Sequence, residues 1–381
     1  MESTLLISPI LRGLYTNYFY DPNDDGHGGI CHPNINAVLN IIPQTGSALR
    51  HLELAQFLPP HCLSTISKMR HLRTLSLRHC VDGEEHCTSI PSTRLIDLLS
   101  LPNLHDLKLL GNIILCPHDN SPRSLVELSS VKKIYLELFS DLADIEGLFR
   151  QARFPMLEEL TLYLSATSSP SRADAKYWPP LCSSLLNSTT SNLHHLKISA
   201  GGITGSRQWA GLQLTLEDLS GLFKLDLIDF DTTSILHSIS ENDIVKLTGS
   251  WRRLQRLVLQ TCQSPQLDFA ALVVIASNLP CLRDLSIEVD ARELAASTVP
   301  ILKHRLHVLC LFRSPLKEPI VLAQSLDRIF PYLNELLLWT SGSKASEVRP
   351  ILRALQQARK EHEMRLDCVS DVAFNRDEAQ D

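Results

Sequence analysis

The 381-residue sequence has no long hydrophobic run, no long run of charges of one sign and no pair of cysteines at C-x-x-C spacing. Its longest apolar stretch, 269–282, is interrupted by Ser277, Asn278 and Pro280 and is too short to span a bilayer. The N-terminal residues have no basic segment before a short apolar run, so they do not resemble a signal peptide. These absences predict a chain without a membrane segment.

The charge balance and the cysteines limit the possible partners and location. The chain has 36 basic and 42 acidic residues, a formal net charge of −6, with the two signs interspersed. Such a surface has no general electrostatic attraction for nucleic acid or for an anionic membrane. The 10 cysteines are scattered and do not cluster as in small disulfide-bonded secreted domains. We therefore expect reduced thiols, a cytoplasmic or nuclear location, and neither nucleic-acid nor membrane partners.

Motifs of common enzymes are missing, since neither G-x-S-x-G nor H-E-x-x-H occurs. The glycine-rich segment 201–206 has no lysine after its last glycine, which favours a surface loop over a phosphate-binding loop. Four potential zinc ligands lie at His79, Cys80, His86 and Cys87. Their spacing matches no zinc finger or ribbon, and adjacent residues of a strand point to opposite faces. We expect no catalytic residue, no cofactor and no metal site; a metal-binding or enzymatic use of these positions is the alternative.

One pattern, Leu-x-x-Leu-x-Leu, recurs along almost the whole chain. Its clearest copies begin at Leu72, Leu104, Leu254 and Leu282. Three of them continue to Cys80, Asn112 and Cys262, which completes the leucine-rich-repeat pattern L-x-x-L-x-L-x-x-N/C. With weaker copies, one of them at Leu222/Leu225/Leu227, the pattern occurs about twelve times, roughly every 28 residues. One repeat buries too little apolar surface to fold alone, so neighbouring repeats must stack.

Segments of helical character, such as 93–101, 268–279 and 320–330, lie between the leucine motifs. The sequence therefore predicts an α/β fold, a leucine-rich-repeat solenoid: an open curved horseshoe of about twelve irregular strand–helix repeats around a parallel inner sheet. We expect the solenoid to occupy residues 1–368 and to be truncated at its N-terminus, because the leucine pattern starts almost at once. A last strand is predicted at 364–369, and a polar, disordered tail at 369–381.

The binding surface of such a solenoid consists of the strand residues that point away from the core. Alternation along the strands places mixed and charged residues there in the early and middle repeats. In the last two repeats it places apolar and aromatic residues: Val308, Cys310, Phe312, Leu337 and Trp339. An apolar cluster with a charged rim is typical of a protein-binding hot spot, so these five are the predicted partner-binding site. The alternative is that the last helix or the tail covers these strands and Trp339 is part of the core.

Three segments, 101–109, 154–162 and 279–287, share an x-Pro-x-Leu helix end that leads into the leucine motif. Over roughly residues 5 to 368 the sequence resembles the repeat region of the F-box/leucine-rich-repeat proteins of basidiomycete fungi. The resemblance implies a non-catalytic interaction scaffold, the substrate-recognition repeats of an F-box-type ubiquitin-ligase receptor, with a protein substrate as partner. No F-box precedes the repeats here, so a Skp-type adaptor is expected only if an F-box lies upstream. A free-standing leucine-rich-repeat binding protein without a ubiquitin link is the alternative.

Overall fold

The chain folds into two compact units, Met1–His237 and Ser238–Asp381. The computed structural model describes residues 12–16, 39–42, 48–55, 60–79, 88–111, 113–116, 125–138, 142–165, 175–189, 191–201, 214–261, 267–294, 296–339 and 344–377. Each unit is built from parallel strands alternating with helices, and the spatial order of its main strands follows the chain.

The first unit contains eight described strands in one parallel sheet. They are β1 (Gly13–Thr16), β2 (His51–Ala55), β3 (Thr74–His79), β5 (Asp106–Gly111), β8 (Lys133–Leu138), β10 (Glu159–Ser165), β11 (His195–Gly201) and β12 (Asp229–Leu236). Short parallel pairs form outside this sheet between β4 (Thr88–Pro91) and β6 (Ile113–Cys116), and between β7 (Val126–Glu127) and β9 (Ala152–Arg153). The order of the main strands is the one expected when each repeat adds one strand beside the last.

Helices of the first unit pack their apolar faces against the core. They are α1 (Pro60–Ile66), α2 (Ser92–Leu99), α3 (Leu142–Gln151), α4 (Trp178–Ser188) and the 3₁₀ helices Ala175–Tyr177 and Asp218–Lys224. In α3 the buried residues are Leu142, Ile145, Leu148 and Phe149. This spacing of three and four residues lines one face of a helix, so the local sequence determines which side enters the core.

The second unit repeats the plan with four described strands, β13 (Arg256–Thr261), β14 (Asp284–Ile287), β15 (Val308–Phe312) and β16 (Glu335–Trp339), paired in parallel in this order. Its helices are α5 (Glu241–Ser250), α6 (Ala270–Asn278), the 3₁₀ helix Ala296–Thr298, α7 (Pro319–Ile329) and α8 (Ala345–Asp377). Helix α5 starts with a capping box in which Ser240 and Asp243 satisfy each other's backbone N–H groups.

The leucines of the repeated motif form the core of both units. Leu75 of β3 pairs in register with Leu107 of β5, and Leu257 of β13 with Leu285 of β14; all four are buried. Matching positions therefore stack in layers, and the residues between them point to the opposite face. The predicted α/β repeat architecture with a parallel sheet is confirmed within each unit, whereas the open horseshoe shape stays a prediction.

Successive strands begin with the same main-chain arrangement. The carbonyl of Arg73 accepts hydrogen bonds from two consecutive N–H groups of the next repeat, His105 at 2.8 Å and Asp106 at 3.0 Å. The same pair of hydrogen bonds to one carbonyl oxygen recurs along the chain. The acceptors are the carbonyls of Arg12, Arg50, His105, Lys132, Glu158 and His194 in the first unit, and of Gln255, Arg283 and His307 in the second. Because it joins equivalent motif positions, this shared carbonyl fixes the register between neighbouring repeats.

The x-Pro-x-Leu segments form a tight turn between helix and strand. Leu104 N–H donates to the Leu101 carbonyl at 3.1 Å, and Leu282 N–H to the Leu279 carbonyl at 3.1 Å. Proline occupies the second place of the four-residue turn, where its fixed φ is favourable and its missing N–H leaves no unpaired donor. The x-Pro-x-Leu pattern thus recurs because it forms the turn that leads from the helix into the next strand.

Two predicted strands are wrong. Leu222 and Lys224 lie in the 3₁₀ helix Asp218–Lys224, and the strand of this repeat is β12, which starts at Asp229 and buries Phe230 instead. Residues 364–369, predicted as a last strand, belong to helix α8. Cys80, Asn112 and Cys262, three positions of the repeat pattern, lie outside the described residues, as does most of the glycine-rich segment 201–206.

A buried histidine connects two repeats of the second unit. Nε2–H of His304 donates to the Leu279 carbonyl at 2.8 Å, and the ring packs edge-on against Phe330. Nδ1 is buried and has no hydrogen-bond partner among the described residues. Burial lowers the pKa of His304 below its ordinary value, against the opposing effect of the bond to Leu279. The fold therefore favours the neutral ring.

Replacing Leu196 by Ala removes a buried side chain from a leucine layer of the first unit. We expect the free energy of unfolding to fall by ~2–5 kcal/mol, because the cavity is refilled only in part. His195→Ala, one position earlier on the opposite face, is the matched control; its exposed ion pair with Asp229 contributes at most about 1 kcal/mol. Urea unfolding measures both losses, and equal losses would contradict the assignment of the two faces.

The stability of the fold should decrease on acidification through His304. The pKa of His304 in the folded state lies below the unfolded value of about 6.5. The stability that the neutral, buried ring contributes is therefore fully present above about pH 6.5 and is lost as the pH falls through the lower, folded-state pKa. His304→Gln keeps a donor for the Leu279 carbonyl and does not titrate. We expect this variant to lose less unfolding free energy than the wild type between neutral pH and about pH 5.

His307→Gln is the matched control for this experiment, since it replaces an exposed histidine of the same unit and leaves His304 and its hydrogen bond to Leu279 in place. Urea unfolding at each pH provides the measurement. The same pH dependence in the wild type and in His304→Gln would show that this ring carries none of the effect.

Candidate functional site

The five predicted binding residues lie on one face of the sheet in the second unit. In the register of β15 and β16, Val308 pairs with Glu335, Cys310 with Leu337 and Phe312 with Trp339. Neighbouring strands are about 4.8 Å apart, so these side chains form one continuous patch. We call Val308, Cys310, Phe312, Leu337 and Trp339 the aromatic face. The structure brings the predicted residues together, and partner binding by them stays a prediction.

Exposure distinguishes this face from the core. Trp339 keeps 65% of its surface exposed, Phe312 and Leu337 are half-buried, and Cys310 is buried. The leucines on the other side of the same strands, Leu309 and Leu311 among them, are buried. The patch is therefore an apolar surface on top of a closed core.

The alternative interpretation required the last helix to cover Trp339, and in the structure this helix does not cover it. Helix α8 instead buries Val348 and Leu352, and its Arg359 contacts Asp327 of α7 at 2.5 Å. Arg349 of α8 donates Nε to the Leu336 carbonyl of β16 at 3.1 Å. The helix is thus held to α7 and to the backbone of the last strand, and the indole stays exposed among the described residues.

Cys310 occupies the middle of the aromatic face. Burial raises the pKa of its thiol, while hydrogen bonds with the side chains of Ser286 and Trp339 act in the opposite direction. The neutral thiol is therefore favoured over the nucleophilic thiolate. Cys310 fills space beside Trp339, and it lacks the electropositive surroundings of a reactive cysteine.

An ion pair between the buried Glu288 and the half-exposed Arg313 lies at the carboxyl ends of the strands. Glu288, only 2% exposed, accepts hydrogen bonds from Arg313 Nη2 at 2.5 Å and from Thr261 Oγ1 at 2.7 Å. Arg313 also donates to the Thr261 carbonyl, and its backbone N–H donates to the Trp339 carbonyl at 2.9 Å. Burial raises the pKa of Glu288, opposed by the hydrogen bonds from Thr261 and Arg313. This network links all four strands at their carboxyl ends.

Arg313 has a φ of 39°, in the left-handed region that residues with a Cβ rarely adopt. Such a conformation persists where the surroundings fix it, and here three hydrogen-bonded groups do so. Sequence analysis missed this residue and its partners Glu288 and Thr261. They are 25 and 52 residues from Arg313, and the unusual φ leaves no mark in the sequence.

The opposite end of the face, at the amino ends of the strands, is acidic. Val308 has Asp284 on one side and Glu335 on the other in the paired register. Arg256 is the register neighbour of Asp284 on β13 and offsets that carboxylate. Glu335 is exposed on the last strand, and no ion pair of Glu335 is found within the described ranges. The acidic excess therefore lies beside β15 and β16.

In the first unit the corresponding face is polar, as predicted, and its charges pair with one another. Lys133 lies 2.5 Å from Glu159, and Lys197 lies 3.4 Å from Asp231, whose side chain is almost fully buried. The hydrogen bond with Glu159 raises the pKa of Lys133. The exposed pair of Lys133 with Glu159 contributes little to stability. On the described part of this face, the carboxylates of Glu159 and Asp231 are therefore compensated by lysines.

The candidate metal ligands lie mostly outside the residues that the structure describes. His79 ends strand β3, but Cys80, His86 and Cys87 lie outside the described residues. Among those described, no three His, Cys, Asp or Glu side chains are grouped so that they could hold a metal ion. None of the described helices has both the length and the apolar character that a membrane crossing requires.

Comparisons with known proteins add little to this description. No protein-family model matches the chain, and no curated protein sequence matches it. Among solved structures, the crystal structure of the Rad7 and Elc1 complex in yeast contains a chain that is similar in part. The match covers 81% of this chain and 83% of that chain, with 13% sequence identity and a TM-score of 0.35.

Proposed function

We propose that this chain is a non-catalytic scaffold for protein–protein interaction and that a partner protein binds to the aromatic face. The observation that carries the proposal is the 65% exposed Trp339, paired in register with Phe312 next to Leu337. Burying one large apolar side chain contributes about 1.5–3 kcal/mol, and aromatic residues at the centre of an interface commonly dominate its binding energy. A partner that covers this patch therefore gains binding free energy by removing these apolar side chains from water.

The network behind the face supports the same proposal. Arg313 connects the backbone of Trp339 to buried Glu288 and to Thr261, so the strand end that carries the indole is held in place before a partner arrives. A surface that is already ordered loses less conformational entropy on binding. The aromatic face is therefore suited to recognition of a partner protein.

We further propose that the partner is the substrate of an F-box-type ubiquitin ligase, with this chain as the substrate-recognition repeats of the receptor. The support is the resemblance of the x-Pro-x-Leu repeats to that family. A Skp-type adaptor belongs to this proposal only if an F-box lies upstream of the chain. The location proposed is the cytoplasm or the nucleus, in keeping with Cys182, Cys281 and Cys310, which form no disulfide bond among the described residues.

The double variant Phe312→Ala/Trp339→Ala tests the binding role. We expect partner capture from native lysate to fall by roughly tenfold or more, as for loss of an interface hot spot, with an unchanged melting temperature. Ile301→Ala/Tyr332→Ala is the control, because these side chains are also exposed, at 71% and 49%, and lie outside the face. Quantitative mass spectrometry of captured proteins and thermal unfolding are the two readouts.

Unchanged capture together with a lower melting temperature would mean that the aromatic residues act only in the core. The captured proteins also separate the two versions of the proposal. Recovery of a Skp-type adaptor and a cullin supports the ubiquitin-ligase version, whereas face-dependent capture without them supports a free-standing repeat scaffold.

A further inference from the structure

We infer that the partner segment is cationic as well as apolar: a peptide stretch of another protein that carries arginine or lysine next to an aliphatic or aromatic side chain. This inference rests on the proposed binding role of the aromatic face and names the chemistry of what binds there. It follows from the different charges at the two ends of the face.

At the amino ends of the strands the face is acidic. Asp284 and Glu335 lie on the strands flanking Val308, two strand spacings or roughly 10 Å apart. A basic side chain over Val308 reaches both carboxylates. Arg256 offsets only Asp284, its own register neighbour, so the exposed Glu335 is the stronger attraction for a partner's cation.

At the carboxyl ends of the strands the buried carboxylate of Glu288 is compensated by Arg313. No acidic partner is drawn to Arg313, whose guanidinium is already bound by this carboxylate and by the Thr261 carbonyl. The exposed indole of Trp339 also discriminates, since the face of an aromatic ring attracts cations and disfavours anions. Both ends of the aromatic face therefore select against an acidic segment.

The two kinds of contact have different roles. Burial of Phe312, Leu337 and Trp339 provides affinity for any apolar segment, so it cannot by itself distinguish partners. Carboxylates at the rim of an interface mainly affect specificity and the rate of association. We therefore assign affinity to the aromatic residues and the choice between partners to Glu335 and Asp284.

A random dodecapeptide display library, selected on the full wild-type chain, tests the inference. We expect the enriched peptides to combine apolar residues with arginine or lysine, about threefold over the unselected library, the size expected from an exposed ion pair. Glu335→Lys should abolish the preference for basic residues while leaving apolar enrichment. Glu293→Lys is the matched control, since Glu293 is equally exposed in the same unit and lies outside the face, and it should behave as the wild type.

Selection on Phe312→Ala/Trp339→Ala separates failure of this inference from failure of the proposed function. Another outcome is that the wild type enriches acidic or uncharged apolar peptides that the double variant no longer binds. This result overturns the inference of a cationic partner and leaves the proposed binding face in place. Recovery of the same peptides on the wild type and on the double variant overturns both. Loss of the basic, apolar peptides on the double variant, with the expected response to Glu335→Lys, supports both.

Discussion

The fold depends on a carbonyl group shared by two N–H donors at the start of successive strands. In each case the acceptor and the donors occupy the same motif positions of adjacent repeats, as at Arg73 with His105 and Asp106. This arrangement sets the register of the parallel strands, and the register stacks leucine on leucine. A slip of one residue would turn the leucines outward and bury their polar neighbours, which makes other registers unfavourable.

The same register creates the candidate site. Once the leucines of β15 and β16 face the core, Phe312 and Trp339 have to lie side by side on the opposite face. In the first unit this face carries charged pairs such as Lys133 with Glu159 and Lys197 with Asp231. In the second unit the apolar side chains stay partly exposed while the ion pair of Glu288 and Arg313 holds the strand ends behind them. Core packing and the proposed partner recognition thus use opposite sides of the same strands.

Most of the fold and the membership of the aromatic face could be predicted, because both follow from periodicity. The leucine spacing indicates strands, alternation assigns their faces, and the proline turns mark the helix ends. The prediction failed at Leu222/Leu225/Leu227, where a motif-like spacing begins inside the 3₁₀ helix Asp218–Lys224 and the true strand buries Asp231 and Thr232 beside Phe230. Glu288, Thr261 and Arg313 could not be found from sequence, since their contacts join distant residues and depend on one unusual backbone angle.

Fluorine NMR of the chain labelled with 5-fluorotryptophan tests the central claim most directly. The chain has 4 tryptophans, of which Trp178 and Trp251 are buried and Trp339 is exposed. With the Trp339 signal assigned from a Trp339→Phe variant, addition of a captured partner protein should shift this signal and leave those of Trp178 and Trp251 unchanged. A partner that binds without moving the Trp339 signal would contradict the assignment of recognition to the aromatic face.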